Sequence, residues 1–286
     1  MGAEVTLMDE PLFRALDRIG QDQVLGAISL VRRGTVYDLG LELNARVPQG
    51  VPGAFAPYGF AWTHIPSVDG GGEAYDFCAE SITATPHIGT HIDGLMHATS
   101  GGRTFGGSPL EAVLTDQGFI RDGIESVPPI VTRALVLDAC ATHGEYLPDG
   151  YDIGPDELAR LLADLSLEIR QGDAVLVRTG KVRQYGVDND AYQAAQPGVG
   201  RDGAIWLFDR GMAVLGTDTT GTEPLPFSHP DRTTHQAMLV DRGVHLIENL
   251  NLEGLSADAV HEGLFICLPL RLTGATGSWV RPVVIV

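Results

Sequence analysis

Residues 86–97 read Pro-His-Ile-Gly-Thr-His-Ile-Asp-Gly-Leu-Met-His and bring four donor side chains, His87, His91, Asp93 and His97, into one short stretch. Neutral imidazoles beside a carboxylate suit Zn²⁺, Mn²⁺ or Fe²⁺, and the thiolates of a structural zinc site are missing. In a straight strand His87, His91 and Asp93 share a face, but four residues at about 3.3 Å each span about 13 Å. Two imidazoles that far apart cannot meet one ion at about 2.1 Å. In a continuous helix His87 and His91 stack, yet Asp93 points about 200° away from His91. A bend at Gly89 folds the two imidazoles together. The i,i+4 spacing of Asp93 and His97 fits a helical turn starting around residue 91. The competing reading, a solvated group of surface histidines, accounts for neither the density of donors nor the interleaved Gly and Thr. The expectation is a bent segment with converging His87, His91 and Asp93. Three protein ligands leave coordination positions open, as a catalytic metal site requires. Such an ion lowers the pKa of its water to about 7 and polarises a carbonyl. His97 then stands as the general base that takes the water's proton and returns it to the leaving group. Its alternative roles are a fourth ligand or a ligand to a second ion.

Working outward, ALVLDAC (134–140) and DAVLVRTG (173–180) read as short buried strands, with GPDELARLLADL (154–165) as the helix between them. AIWLFDRG (204–211) reads as a helix closed by Gly211 and followed by a strand at 212–218. HQAMLVDRG (235–243) repeats that design into the strand VHLIENL (244–250), and the closing GSWVRPVVIV is strand-like. Leu12, Phe13, Leu16 and Ile19 are helically spaced over 9–19. Alternating strands and helices indicate one α/β or α+β domain. His235 and Glu248 bracket the helix–turn–strand unit, where helix start and strand end meet, and a Glu in an apolar strand needs a partner. Asp218 competes with Asp93 for a similar role. His64, His143, His229, His245 and His261 read as solvated. Residues 44–75 are dense in Gly and Pro and predict a long loop without a regular element. Its rings Phe55, Tyr58, Phe60 and Trp62 either pin the loop to the core or cover a substrate, and Phe60 and Trp62 are the candidate substrate contacts.

Composition limits the function classes. Across 286 residues, 37 acids against 19 bases give a net charge of −18. That field repels polyanions, so nucleic acid and anionic membrane surfaces are excluded as partners. No apolar run approaches the roughly 18 residues a spanning helix needs, and the first residues lack the form of a secretory signal. Three widely spaced cysteines suit a reducing compartment rather than a disulfide frame. The expected location is cytoplasmic.

The 87–97 stretch closely resembles the H-x-G-T-H-x-D-x-P-x-H signature of the cyclase family, which includes bacterial kynurenine formamidases and isatin hydrolases. The resemblance continues in VYDLG (36–40), GDAVLVRTG (172–180), GMAVLGTDT (211–219), HQAMLVDRGVHLIENL and GATGSWVRPVVIV. It covers most of residues 35–286 and leaves 1–34 as an added helical extension. It implies a swivelling β/β/α fold, a homodimer or homotetramer, and one or two divalent ions, Mn²⁺ or Zn²⁺. It implies His87, His91 and Asp93 as ligands of the first ion, His97 in the acid–base role, and His235 with Glu248 at a second ion. Leu95 stands where the signature has Pro, which changes local stiffness but removes no donor.

The function expected from these residues is metal-dependent hydrolysis of a small cyclic or aryl amide, imide or lactone. Two other readings use the same residues: a lyase or true cyclase, and a non-catalytic metal- or ligand-binding protein.

Overall fold

A computed structural model describes residues 13–50, 57–65, 76–141, 143–227 and 232–286. The principal strands are β1 (Val36–Asp38), β2 (Gly59–Ile65), β3 (Phe77–Thr83), β4 (His91–Asp93), β5 (Ile130–Asp138), β6 (Ala174–Arg178), β7 (Val214–Thr217), β8 (His245–Glu248), β9 (Glu262–Cys267), β10 (Gly277–Trp279) and β11 (Val283–Ile285). Nine of them form one mixed sheet in the order β1-β11-β9-β5-β6-β7-β8-β4-β10. The four central strands β5 to β8 run parallel. The flanking pairs on both sides are antiparallel.

A parallel sheet covered on both faces needs apolar residues at successive positions, and β5 and β6 have them. Leu135, Leu137, Val175 and Val177 enter one core cluster, while Ala134, Val136, Ala174 and Leu176 enter the other. The first cluster is closed by the helices α2 (Pro155–Leu165), through Leu158, Leu161 and Leu162, and α3 (Arg201–Asp209), through Leu207. Pro155 opens α2 with Asp156 and Glu157 in its first turn, a start that suits both the missing N–H and the helix dipole. Between β7 and β8 the chain makes a π-helical turn, Gln236–Val240, whose Ala237, Met238 and Leu239 are buried. Mixed α/β is therefore the fold class. No helix among the described residues is long and apolar enough to cross a membrane.

Three expectations are corrected. The N-terminal helix expected at 9–19 is a single 3₁₀ turn, Ala15–Arg18, followed by the helix α1 (Gln21–Ile28); residues 9–12 lie outside the described residues. The break falls at Gly20, which caps the second helix in an extended conformation. The stretch 44–75 does contain a regular element. Within it, β2 pairs antiparallel with β3, setting Phe60 opposite Ile82 and Trp62 opposite Glu80. Its aromatic and β-branched residues favour a pleated ribbon that the flanking Gly and Pro obscured. Phe55 and His229 lie outside the described residues. The helical turn expected from residue 91 starts instead at Leu95, after β4, and runs to His97.

Candidate metal centre

The site forms where β8 meets β4. In β4, His91 and Asp93 point to one face and Ile92 to the other, where it is fully buried in the core. The register sets Glu248 of β8 directly opposite His91. Gly89 takes φ +60°, in the left-handed region, and turns the chain ahead of the strand. His87 thereby returns to Asp93, with Nδ1 2.8 Å from Oδ1, while its Nε2 lies 2.9 Å from Thr276 Oγ1. The close approach of His87 to β10 requires Gly277, because a Cβ there would stand 2.7 Å from His87 Cε1.

His91 Nδ1 donates to the Gly89 carbonyl at 2.9 Å, which leaves Nε2 facing the centre. That Nε2 is 3.4 Å from Asp93 Oδ1 and 3.4 Å from Glu248 Oε2. His235, just ahead of the π-helical turn, repeats the arrangement from the other side. Its Nε2 is 3.4 Å from Asp93 Oδ2 and 3.4 Å from Glu248 Oε1. Its Nδ1 meets Glu223 Oε2 at 2.5 Å. Thr222 Oγ1 donates to Glu248 Oε1 at 3.0 Å. His97 completes the group, its ring stacked on His87 with centroids 3.8 Å apart and 5.8 Å from His235.

These residues fit a divalent ion. A separation of 3.4 Å is long for a charge-assisted hydrogen bond, and it is about the edge of a tetrahedron whose donors sit about 2.1 Å from a shared centre. Two sets of ligand atoms, His87–Asp93–His97 and His91–Asp93–Glu248, lie within 4.8 Å of one another. Asp93 belongs to both. Among the described residues its Oδ2 is buried without a hydrogen-bond partner, a costly state unless a cation satisfies it.

The electrostatics agree. Burial opposes ionisation of Asp93, but the surrounding imidazoles of His97, His235, His87 and His91 hold its carboxyl well below the usual range. Burial also opposes charge on His235, yet Glu223, Asp93 and Glu248 raise it well above the ordinary imidazole value. His91 is raised in the same way by Asp93 and Glu248 against its burial. His97 is pushed down to about 4 by burial, reinforced by neighbouring imidazoles and opposed by Asp93. The cluster attracts positive charge, for which protons and a metal ion compete.

The structure thus brings together His87, His91, Asp93, His97, His235 and Glu248. Phe60 and Trp62 lie on β2, 58% and 67% exposed, and among the described residues neither makes a ring contact with His91, His97 or His235. Asp218 is engaged elsewhere, accepting from the Thr179 amide and hydroxyl and the Gly180 amide. The solvated reading of His245 is corrected: it is buried in β8 and its Nδ1 donates to the Asp93 carbonyl at 2.8 Å. A polar residue in a strand covered on both faces is buried whatever its character, and that covering was not legible locally. Glu223 and Thr222 were not among the residues expected at the site, although they lie in the unusual segment 221–236. The signal was a Glu inside the Gly/Pro-rich segment 221–226, a setting with little to solvate a carboxylate once packed.

Comparison with known proteins gives a consistent answer. The family model described as "Putative cyclase" matches residues 37–224. The kynurenine formamidase of Bacillus cereus is 35% identical over 206 residues, covering 71% of this chain and 78% of that protein. A crystal structure described as a novel cyclase superposes with a TM-score of 0.82 at 24% identity, covering 96% of this chain and 94% of the other. Isatin hydrolase A from Labrenzia aggregata does so with a TM-score of 0.66 at 23% identity, covering 92% and 97%. At these identities the two solved structures speak for the fold.

Proposed function

This chain belongs to the cyclase family, and from that premise we propose that it is a metal-dependent hydrolase of small cyclic or aryl amides, imides or lactones. The reaction is hydrolysis of a non-peptide carbon–nitrogen bond or its ester counterpart. One observation carries the reading: His91 and His235 each present Nε2 at 3.4 Å from both carboxylates, Asp93 and Glu248. Such a ring of N and O donors is built around charge rather than around hydrogen bonds.

In this reading His87, His91 and Asp93 would hold a first ion, and His235 and Glu248 would hold a second where two are bound. The donor set of imidazole and carboxylate suits Mn²⁺ or Zn²⁺. When bound, such an ion lowers the pKa of water and polarises a carbonyl. The chain's own contribution is proton movement and placement. His97, stacked against His87 at the edge of the cluster, takes a proton from the attacking water and returns it to the leaving nitrogen or oxygen. The short turn Leu95–His97 fixes its place, since the His97 amide donates to the Gly94 carbonyl at 3.0 Å.

Phe60 and Trp62 are assigned to substrate contact in a homodimer or homotetramer. Both strands of their two-stranded ribbon are exposed, and an isolated ribbon of that kind is marginal in water without cover. The acidic chain with exposed and buried free thiols suits the cytoplasm.

The test is a turnover screen of metal-stripped protein reloaded with Mn²⁺ or Zn²⁺, against N-formylkynurenine, isatin, cyclic imides and aryl lactones in ¹⁸O-water. Metal-dependent product carrying solvent ¹⁸O supports the reading. Turnover by the metal-free protein, or product without the label, overturns it.

A further inference from the structure

We propose that Glu223 is a positioning residue, an acceptor that fixes His235 with Nδ1 protonated so that Nε2 faces the metal. The inference rests on the assignment of His235 as a ligand. Its ground is the contact of Glu223 Oε2 with His235 Nδ1 at 2.5 Å, made by a carboxylate that is 5% exposed. Among the described residues His235 is the only cationic side chain in ion-pair distance of Glu223. Burying a carboxylate with a single imidazole partner is costly unless the partner's orientation is what the contact secures.

The chain holds Glu223 rigidly. Gln196, itself 1% exposed, donates from Nε2 to the Glu223 carbonyl at 2.8 Å and to the Gly221 carbonyl at 2.5 Å. Gly198 lies directly beneath, where a Cβ would stand 2.4 Å from the Thr222 carbonyl oxygen and 2.5 Å from the Glu223 carbonyl carbon. The preceding residue, Thr222, donates to Glu248 Oε1 at 3.0 Å. One dipeptide therefore grips both side chains assigned to the second ion, His235 through Glu223 and Glu248 through Thr222. The neutral imidazole that a metal requires has one proton, and an acceptor at Nδ1 decides which nitrogen keeps it.

The experiment is a Zn²⁺ titration of the full chain against a competing chelator, with metal content by elemental analysis, for the wild type, E223A, E223Q and E223D. Thermal melts of the metal-free forms report folding. Outer acceptors of this kind are worth about 10–100-fold in metal affinity, so E223A is expected to weaken one of two sites by that factor. E223Q keeps an acceptor at the same reach and stays within about threefold of the wild type, by the same reasoning. E223D keeps the charge but withdraws the acceptor, and is expected to bind more weakly than E223Q. In the Zn²⁺-loaded protein, a downfield imidazole Nδ1 proton is expected in wild type and E223Q and absent in E223A. Wild-type affinity in E223A, or E223D binding more tightly than E223Q, overturns the positioning role while leaving the metal reading intact. A wild type that binds no Zn²⁺ overturns both.

Discussion

His91 and Glu248 sit opposite each other on antiparallel strands, β4 and β8, with His91 Nε2 3.4 Å from Glu248 Oε2. Strand register brings a histidine of the 86–97 stretch to an acid far along the chain, and both are buried, where a proton or a shared cation balances the carboxylate. His91→Ala removes a donor common to this pairing and to Asp93. Since loss of an outer partner alone costs about 10–100-fold in metal affinity, loss of this donor is expected to cost more than 100-fold, together with activity. Metal analysis after dialysis checks it; full metal content in the variant contradicts the assignment.

His97 separates proton transfer from ligation. His97→Ala is expected to lower kcat by about 10²–10⁴-fold, the usual worth of a general acid–base group, with metal content unchanged. Parallel loss of metal and activity would instead place His97 among the ligands.

Gly277 leaves room for His87. An added methyl would lie 2.7 Å from His87 Cε1 and 3.0 Å from the Ile92 carbonyl oxygen. Gly277→Ala is expected to displace His87, weaken one metal site and cost about 1–3 kcal/mol of stability, the range for overpacking. Zn²⁺ titration with denaturant melts reads both effects, and unchanged metal binding would show that His87 does not depend on this contact.

Asp218 makes stability pH-dependent. Burial pushes its carboxyl up to about 6 from an ordinary 3.8, against the pull of its Thr179 and Gly180 donors and of Arg178. Between those values the unfolded chain has released a proton that the folded chain retains, so stability falls as pH rises through the window and stays lower above it. At roughly 1.4 kcal/mol for each tenfold change in proton affinity, the loss is about 3 kcal/mol. Asp218→Asn sacrifices an acceptor but cannot ionise. The stability difference between variant and wild type is therefore expected to shift by about 2 kcal/mol in the variant's favour from pH 4 to pH 7, since part of the titration is over by pH 4. Urea melts across that range decide it; a constant difference would mean Asp218 titrates normally.

Thiol chemistry tests the exposure of the β2–β3 ribbon. Cys78 lies exposed on β3, whereas Cys140 and Cys267 are buried, and burial pushes the Cys267 thiol up to about 12. Alkylation of the folded, dissociated subunit is expected to label Cys78 alone, with all three thiols reacting after denaturation. Native labelling of Cys267 would contradict the packing of β9.

How much could be read beforehand follows from range. The donors His87, His91, Asp93 and His97 are close in sequence, and the need to bring two imidazoles onto one ion demanded a bend at Gly89, where the structure has φ +60°. The apolar runs of β5 and β6 and the amphipathic α2, opened by Pro155 with acids in its first turn, were equally local signals, set by side-chain period and helix-end chemistry. The ribbon at Gly59–Ile65 was not, because its pairing partner lies beyond it in the chain.

By itself, then, the sequence determined the donor chemistry, the mixed α/β class and the family signature, all of which depend on residue types at short spacing. The sequence also offered His235 and Glu248 as distant partners; only the tertiary structure decided how they meet the 86–97 donors and added Glu223 and Thr222. Sheet order places β8 beside β4, so Glu248 faces His91 and His245 is buried behind Asp93. Packing of 221–223 over Gly198 carries Glu223 to His235. Those contacts arise from strand register and from covering both faces of the sheet, properties of the whole fold that no local pattern encodes.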